Sequence, residues 1–143
     1  MINKKMWINV GVENIEETSK FFNSIGFKEM SNHANNPTMR GFTISDNDTA
    51  IMMFDKNIMR GFLGLNSDHN EADVINMSNE VLINIGCDSK EEVDMLYEKV
   101  KLAGGNIYTE LGWTDGWMYA FGFADLSGHK WCPMYMDMSK YQK

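Results

Sequence analysis

The chain has 143 residues, enough for one compact domain or two small modules sharing a core, and its 43% hydrophobic and 23% charged residues separate it from disordered chains. A formal net charge of −7 excludes the positive footprint of a nucleic-acid binder and leaves room for a cationic ligand. No long apolar run follows Met-Ile-Asn-Lys-Lys, so neither a signal peptide nor a membrane span is expected. Two cysteines without a framework spacing, Cys87 and Cys132, fit reduced thiols in a cytoplasmic protein.

In chain order, Met6 to Val12 alternates and predicts a strand. Asn14, with Glu17 three residues on, is a candidate helix cap. Ile15, Thr18, Phe21, Phe22 and Ile25 then share one helical face, and Gly26 supplies the left-handed residue that ends the helix. Strands are expected over 27–30, 40–44 and 49–54, the last two joined by a turn at 45–48. From Lys56 the periodicity decays into a connection that has room for a short helix.

The pattern then begins again. Glu80 to Ile85 predicts a strand, and Ser89 with Glu92 matches a capping box. Val93, Leu96, Tyr97, Val100 and Ala103 form an apolar stripe closed by Gly104-Gly105. A short strand over 106–110, a loop over 111–115, a strand to Ala124, the turn Asp125-Leu-Ser-Gly128 and a strand from His129 to Met136 complete the set. Each half reads β-α-β-β-β, and Gly26 against Gly104 puts the halves about 78 residues out of phase. One helix covers one face of each sheet, so the other faces are expected to line a cleft.

Three stretches carry a resemblance. Trp7-Ile-Asn-Val-Gly-Val-Glu-Asn-Ile-Glu-Glu-Thr-Ser-Lys-Phe-Phe-Asn-Ser-Ile-Gly-Phe27 opens the chain, Asp88 to Asp94 with Ala103-Gly-Gly105 builds the second helix, and Gly116-Trp-Met-Tyr119 with Asp125-Leu-Ser-Gly-His-Lys-Trp131 builds the closing hairpin. Together they resemble glyoxalase-like bacterial members of the glyoxalase/bleomycin resistance/extradiol dioxygenase group, the vicinal oxygen chelate superfamily. The resemblance implies an α+β fold of two βαβββ modules with cupped mixed sheets, in one domain. Module 1 would span about 1–57, a connection about 58–79 and module 2 about 80–143. It also implies a homodimer and, in active members, a divalent metal at four positions in the cup.

Carried to this sequence, those four positions are Trp7, Met52, Leu82 and Cys132. Three are apolar, and one thiolate cannot supply a zinc site of three or four ligands, so no metal or other cofactor is expected. The reading that follows is a metal-free binder of a small organic molecule, cationic or aromatic, as in bleomycin-resistance-type sequestration. It leans away from an enzyme. The alternative is a divalent-metal-dependent lyase of the glyoxalase I kind with an atypical ligand set. Ligand contacts are expected from Trp7, Asn9, Phe54, Trp113, Trp117, Tyr119, Phe121 and Cys132, with Asn84 a second polar handle. Cys132 is the candidate nucleophile, though activating it requires a nearby base or cation. His129 is expected to tie the Asp125 turn. His69, within Asp68-His-Asn-Glu71, is the one His/carboxylate cluster in the sequence.

Overall fold

A computed structural model describes residues 6–44, 49–65 and 81–141. The turn at 45–48 and the His69 cluster lie outside the described residues. The chain divides into two compact units, Met1–Asn70 and Glu71–Lys143.

In the first unit, β1 (Trp7–Val12) leads through Asn14 into α1 (Ile15–Ser24). The Asn14 side chain accepts the Glu17 amide at 3.0 Å, which satisfies one of the free N–H groups of the first turn. At the other end Gly26 takes φ 101°, and the Gly26 and Phe27 amides return to the carbonyls of Asn23 and Phe22. This paired closure needs a left-handed residue, and glycine adopts that conformation without strain. Strands β2 (Lys28–Glu29), β3 (Met39–Thr43) and β4 (Ala50–Asp55) complete a sheet ordered β1-β4-β3-β2, with β1 and β4 parallel and the other pairs antiparallel. Phe21, Phe22 and Ile25 of the α1 region pack with Phe42, Ile51 and Met53 in the core.

Helix α2 (Lys56–Phe62) follows β4 directly and lies on the opposite sheet face from α1. Two close contacts place it there. A Cβ on Gly11 would meet Met59 Cβ at 3.0 Å, and the Phe62 ring stands edge-on to Phe54 at 5.0 Å.

The second unit repeats the plan with β5 (Leu82–Cys87), α3 (Lys90–Leu102), β6 (Asn106–Thr114), β7 (Met118–Ala124) and β8 (Lys130–Met136), in the sheet order β5-β8-β7-β6. Ser89 Oγ accepts the Glu92 amide, and the Glu92 carboxylate accepts the Asp88 amide, so the capping box forms. Gly104 and Gly105 close α3 onto Lys101 and Val100 just as Gly26 and Phe27 close α1. Both helices thus end in the same closure, and each begins on a side chain that accepts the amide three residues on.

Two expectations need correction. β6 extends through Thr114, across register shifts between Ile107 and Gly112, where the sequence suggested a short strand and a loop. The chain turns instead at Asp115-Gly116, both at positive φ as the central pair of a type I′ turn requires, with the Trp117 amide donating to the Thr114 carbonyl. The bulges explain the misreading, because extra residues break the alternation by which a strand is recognised. The described residues contain no helix long and apolar enough to cross a membrane.

Candidate functional site

Register assigns every strand residue to the helix-covered or the uncovered face of its sheet, because side chains alternate and cross-strand partners share a face. In the first sheet, Ile51 and Met53 belong to the core on the α1 side, so Trp7, Asn9, Met52 and Phe54 stand on the other face. Trp7 is 59% exposed there, while Phe54 lies under Phe62 of α2. Gly41 is filled in by its neighbours, since a Cβ would meet Met30 Sδ at 2.8 Å and Met52 Sδ at 3.0 Å.

In the second sheet the assignment overturns part of the aromatic wall. Tyr119 and Phe121 are 6% and 1% exposed and face α3. Phe121 meets Tyr97 of α3 edge-on at 5.2 Å, and the Tyr119 hydroxyl donates to Asp94 of α3, which also pairs with Lys90 at 2.8 Å. Trp113 packs against Tyr119 at 5.1 Å, so it belongs to that side too. The reason is volume: an amphipathic helix resting on a sheet needs large side chains beneath it, and β7 supplies them. Trp117 precedes β7 and stacks edge-on with Tyr141 at 4.6 Å, lining a surface cavity of about 600 Å³ with Asp115, Gly116 and Lys140.

What β7 and β8 turn to the uncovered face is therefore the other parity: Met118, Ala120 and Gly122 with Lys130, Cys132 and Met134. Asn84 of β5 pairs with Cys132, and the register that sets Ala120 against Met134 and Phe123 against Trp131 puts Gly122 beside Cys132. Tyr108 of β6 lies over Gly122, where a Cβ would come within 2.6 Å of the ring. Lys130 Nζ stands 5.2 Å from the Tyr108 ring centroid. Burial raises the Tyr108 hydroxyl and the Cys132 thiol above their usual titration ranges, and the neighbouring Cys132 raises Tyr108 further. Cys132 is therefore held as a thiol, a poor state for a nucleophile. By contrast, a Cβ on Gly86 or Gly112 would meet nothing within 4 Å.

Asn9, Asn84 and Cys132 stand on the uncovered faces of their sheets, and beside Cys132 stands Tyr108, which was not among the expected contacts. The available signal was Gly122, since a glycine inside a strand often marks the close approach of another group.

The polar clusters elsewhere hold the fold. Asp125 Oδ1 accepts the amides of Ser127 and His129, and Oδ2 accepts from His129 Nδ1 and from Trp131 Nε1, each at 3.0 Å. His129 therefore ties the turn, as expected. Arg40, buried at 3% exposure, pairs with Glu16 and with Glu29 at 3.0 Å and donates from Nε to the Asn36 carbonyl at 2.7 Å. Burial pushes the Glu29 carboxyl up, but hydrogen bonds from Asn23, Arg40 and Ser19 outweigh it and hold the group below its usual range.

The four positions implied for a metal are occupied by Trp7 and Met52 on the first sheet and Leu82 and Cys132 on the second, and they do not fit a hard divalent ion. Among the described residues no group of three His, Cys, Asp or Glu side chains converges.

No family model and no curated protein matches the sequence. Solved structures do. A hypothetical protein from S. aureus is 29% identical, with 94% of this chain and 95% of that chain covered and a TM-score of 0.73. A glyoxalase/bleomycin resistance protein/dioxygenase family enzyme from Burkholderia phytofirmans is 18% identical over 91% and 96% of the two chains, with a TM-score of 0.69. A genomically encoded fosfomycin resistance protein from Listeria monocytogenes is 18% identical over 98% of each, with a TM-score of 0.66. The chain has the α+β fold of two βαβββ units that defines the glyoxalase/bleomycin resistance/dioxygenase group, the vicinal oxygen chelate superfamily.

Proposed function

We propose that this protein binds a small organic molecule without a metal, against the uncovered face of the β5-β8-β7-β6 sheet. One observation carries the reading. That face is apolar and uneven, with Met118, Ala120 and Met134 around open space at Gly86 and Gly112, and among the described residues no helix of its unit covers it. Apolar walls with a few placed polar groups are the usual make-up of a small-molecule site. Trp7 and Asn9 offer similar contacts on the first sheet, where α2 leaves less room. The expected homodimer belongs to this proposal. It is supported by Met6, Trp7, Val81 and Leu82, all at least half exposed at the starts of β1 and β5, and light scattering would read twice 16.4 kDa.

A cationic ligand fits less well than an aromatic or aliphatic one, because no strand carboxylate stands on the uncovered face of the second sheet. Glu16, Glu17, Glu91, Glu92 and Asp94 stand on the helices.

The test is a fragment screen read by amide shifts. Hits are expected to move the amides of β7 and β8, and Ala120→Trp, which fills the face, should abolish them while the fold persists. Hits confined to the Trp117–Tyr141 cavity would overturn the reading. So would one equivalent of divalent metal in purified protein that supports turnover of a hemithioacetal, which would favour the metal-dependent lyase.

A further inference from the structure

The uncovered face of the second sheet holds four polar side chains in one neighbourhood: Asn84, Tyr108, Lys130 and Cys132. None of them makes a hydrogen bond or ion pair with any described residue. Asn84 and Tyr108 are exposed, so water can serve them, while Lys130 and Cys132 are only half exposed. Lys130 is half-buried, its ammonium leaning on the Tyr108 ring. A cation–π contact offsets part of the desolvation of such a group but accepts none of its hydrogen bonds.

All four can donate: an ammonium, a phenol, an amide and a thiol. The described strands of their face bring no carboxylate to meet them. We propose that this face recognises an organic anion, with Lys130 Nζ and the Tyr108 hydroxyl donating to its oxyanion, Asn84 as a further donor, and the apolar body of the ligand lying along Ala120 and Met134. The inference rests on the small-molecule reading above and names the chemical class of its ligand. Charge-assisted hydrogen bonds are the stronger kind, which suits a site with so few polar groups. The net charge of −7 does not oppose it at short range. No described strand of this sheet turns a carboxylate to the face, and exposed charges beyond about 8–10 Å are largely screened at physiological salt.

The test uses matched probes: 4-phenylbutanoate, its methyl ester, and phenylphosphonate, each titrated into the labelled full-length protein. The acid is expected to shift the amides of β7 and β8, with the ester at least ten-fold weaker. Lys130→Met, which keeps the apolar stem, should erase that difference and leave the ester unaffected. Tyr108→Phe should weaken the acid several-fold. Phosphonate binding without carboxylate binding would support the proposal and name the oxyanion. If ester and acid bind this face equally, or if Lys130→Met leaves the acid's preference intact, the anion inference falls and the small-molecule reading stands. If no probe moves these strands, both fall.

Discussion

Strands β1 and β5 carry nearly the same local sequence, Ile-Asn-Val-Gly-Val over 8–12 and Ile-Asn-Ile-Gly-Cys over 83–87, yet what stands above them differs. Above Gly11 sits Met59 of α2, and methionine sulfurs fill the space over Gly41. Above Gly86 there is nothing within 4 Å, and the neighbouring strands carry polar groups that hydrogen-bond to no described residue. The same scaffold has been closed with flexible apolar filler in one unit and left open in the other. The difference teaches where binding should be sought: the repeat provides two platforms, and their coverings decide which of them is available.

The largest expected effects come from the buried charge that each unit uses to fix its helix-covered side, Arg40 in the first and Asp125 in the second. Arg40→Leu should cost about 3 kcal/mol in urea unfolding, because it leaves Glu29 part-buried without its cation. Asp125→Ala should cost a comparable ~3 kcal/mol, since it strands the Trp131 indole N–H and two turn amides. A loss below 1 kcal/mol for either would show that the cluster is dispensable. Both variants leave the uncovered faces untouched, so probe binding at saturating folded protein should persist.

The matched glycines sharpen the comparison directly. Gly11→Ala must push against Met59 Cβ and Cγ at 3.0 and 3.1 Å, near the helix backbone, and should cost about 1–2 kcal/mol with faster hydrogen exchange in α2. Gly86→Ala, at the equivalent strand position with open space above it, should stay within about 0.5 kcal/mol of wild type. Equal costs would mean that the two faces are not differently covered.

Much of this plan was legible in the sequence because it is local. Asn14, Ser89 with Glu92, Gly26 and Gly104 act within a few residues of themselves, and their roles follow from the free groups at helix ends. The fold class followed from element order in the same way. The site was legible only in part. Alternation groups Tyr119 with Phe121 and Cys132 with Lys130, but it does not say which group lies beneath a helix; that depends on α3 crossing the sheet, a long-range contact. Tyr108 was missed for a related reason. Its role is set by Gly122, fourteen residues away, across a strand whose bulges hide its own period. The repeated Ile-Asn-x-Gly was in plain view, 75 residues apart, while the helix caps suggested 78; α3 is three residues longer than α1, and that reconciles the two.

A smaller effect separates the units by pH. Glu29 titrates below its ordinary value of 4.5 when folded, so the folded state prefers the carboxylate. The stability it contributes is fully present above about pH 4.5, the unfolded value, and is lost as pH falls through the lowered folded value. Glu29→Gln should flatten that acid limb of the stability curve. An unchanged acid limb would remove Glu29 as its source.

The last prediction concerns rates. Cys87 and Cys132 lie on opposite faces of the second sheet, and burial raises both thiols, Cys87 to about 11 with Glu92 adding to the shift. At pH 8 a group titrating near 11 is thiolate in only about one molecule in a thousand, against roughly a quarter for a free cysteine. Cys87 is also 8% exposed on the α3 side, where an alkylating reagent must wait for local opening. Cys132 opens onto the uncovered face. Iodoacetamide should therefore modify Cys132 at least ten-fold faster than Cys87, more slowly than free cysteine, and more slowly still when a ligand occupies the face. Equal labelling of the two thiols would place Cys132 under cover as complete as that of Cys87. The second platform would then be no more open than the first, and the contrast on which the binding site rests would be lost.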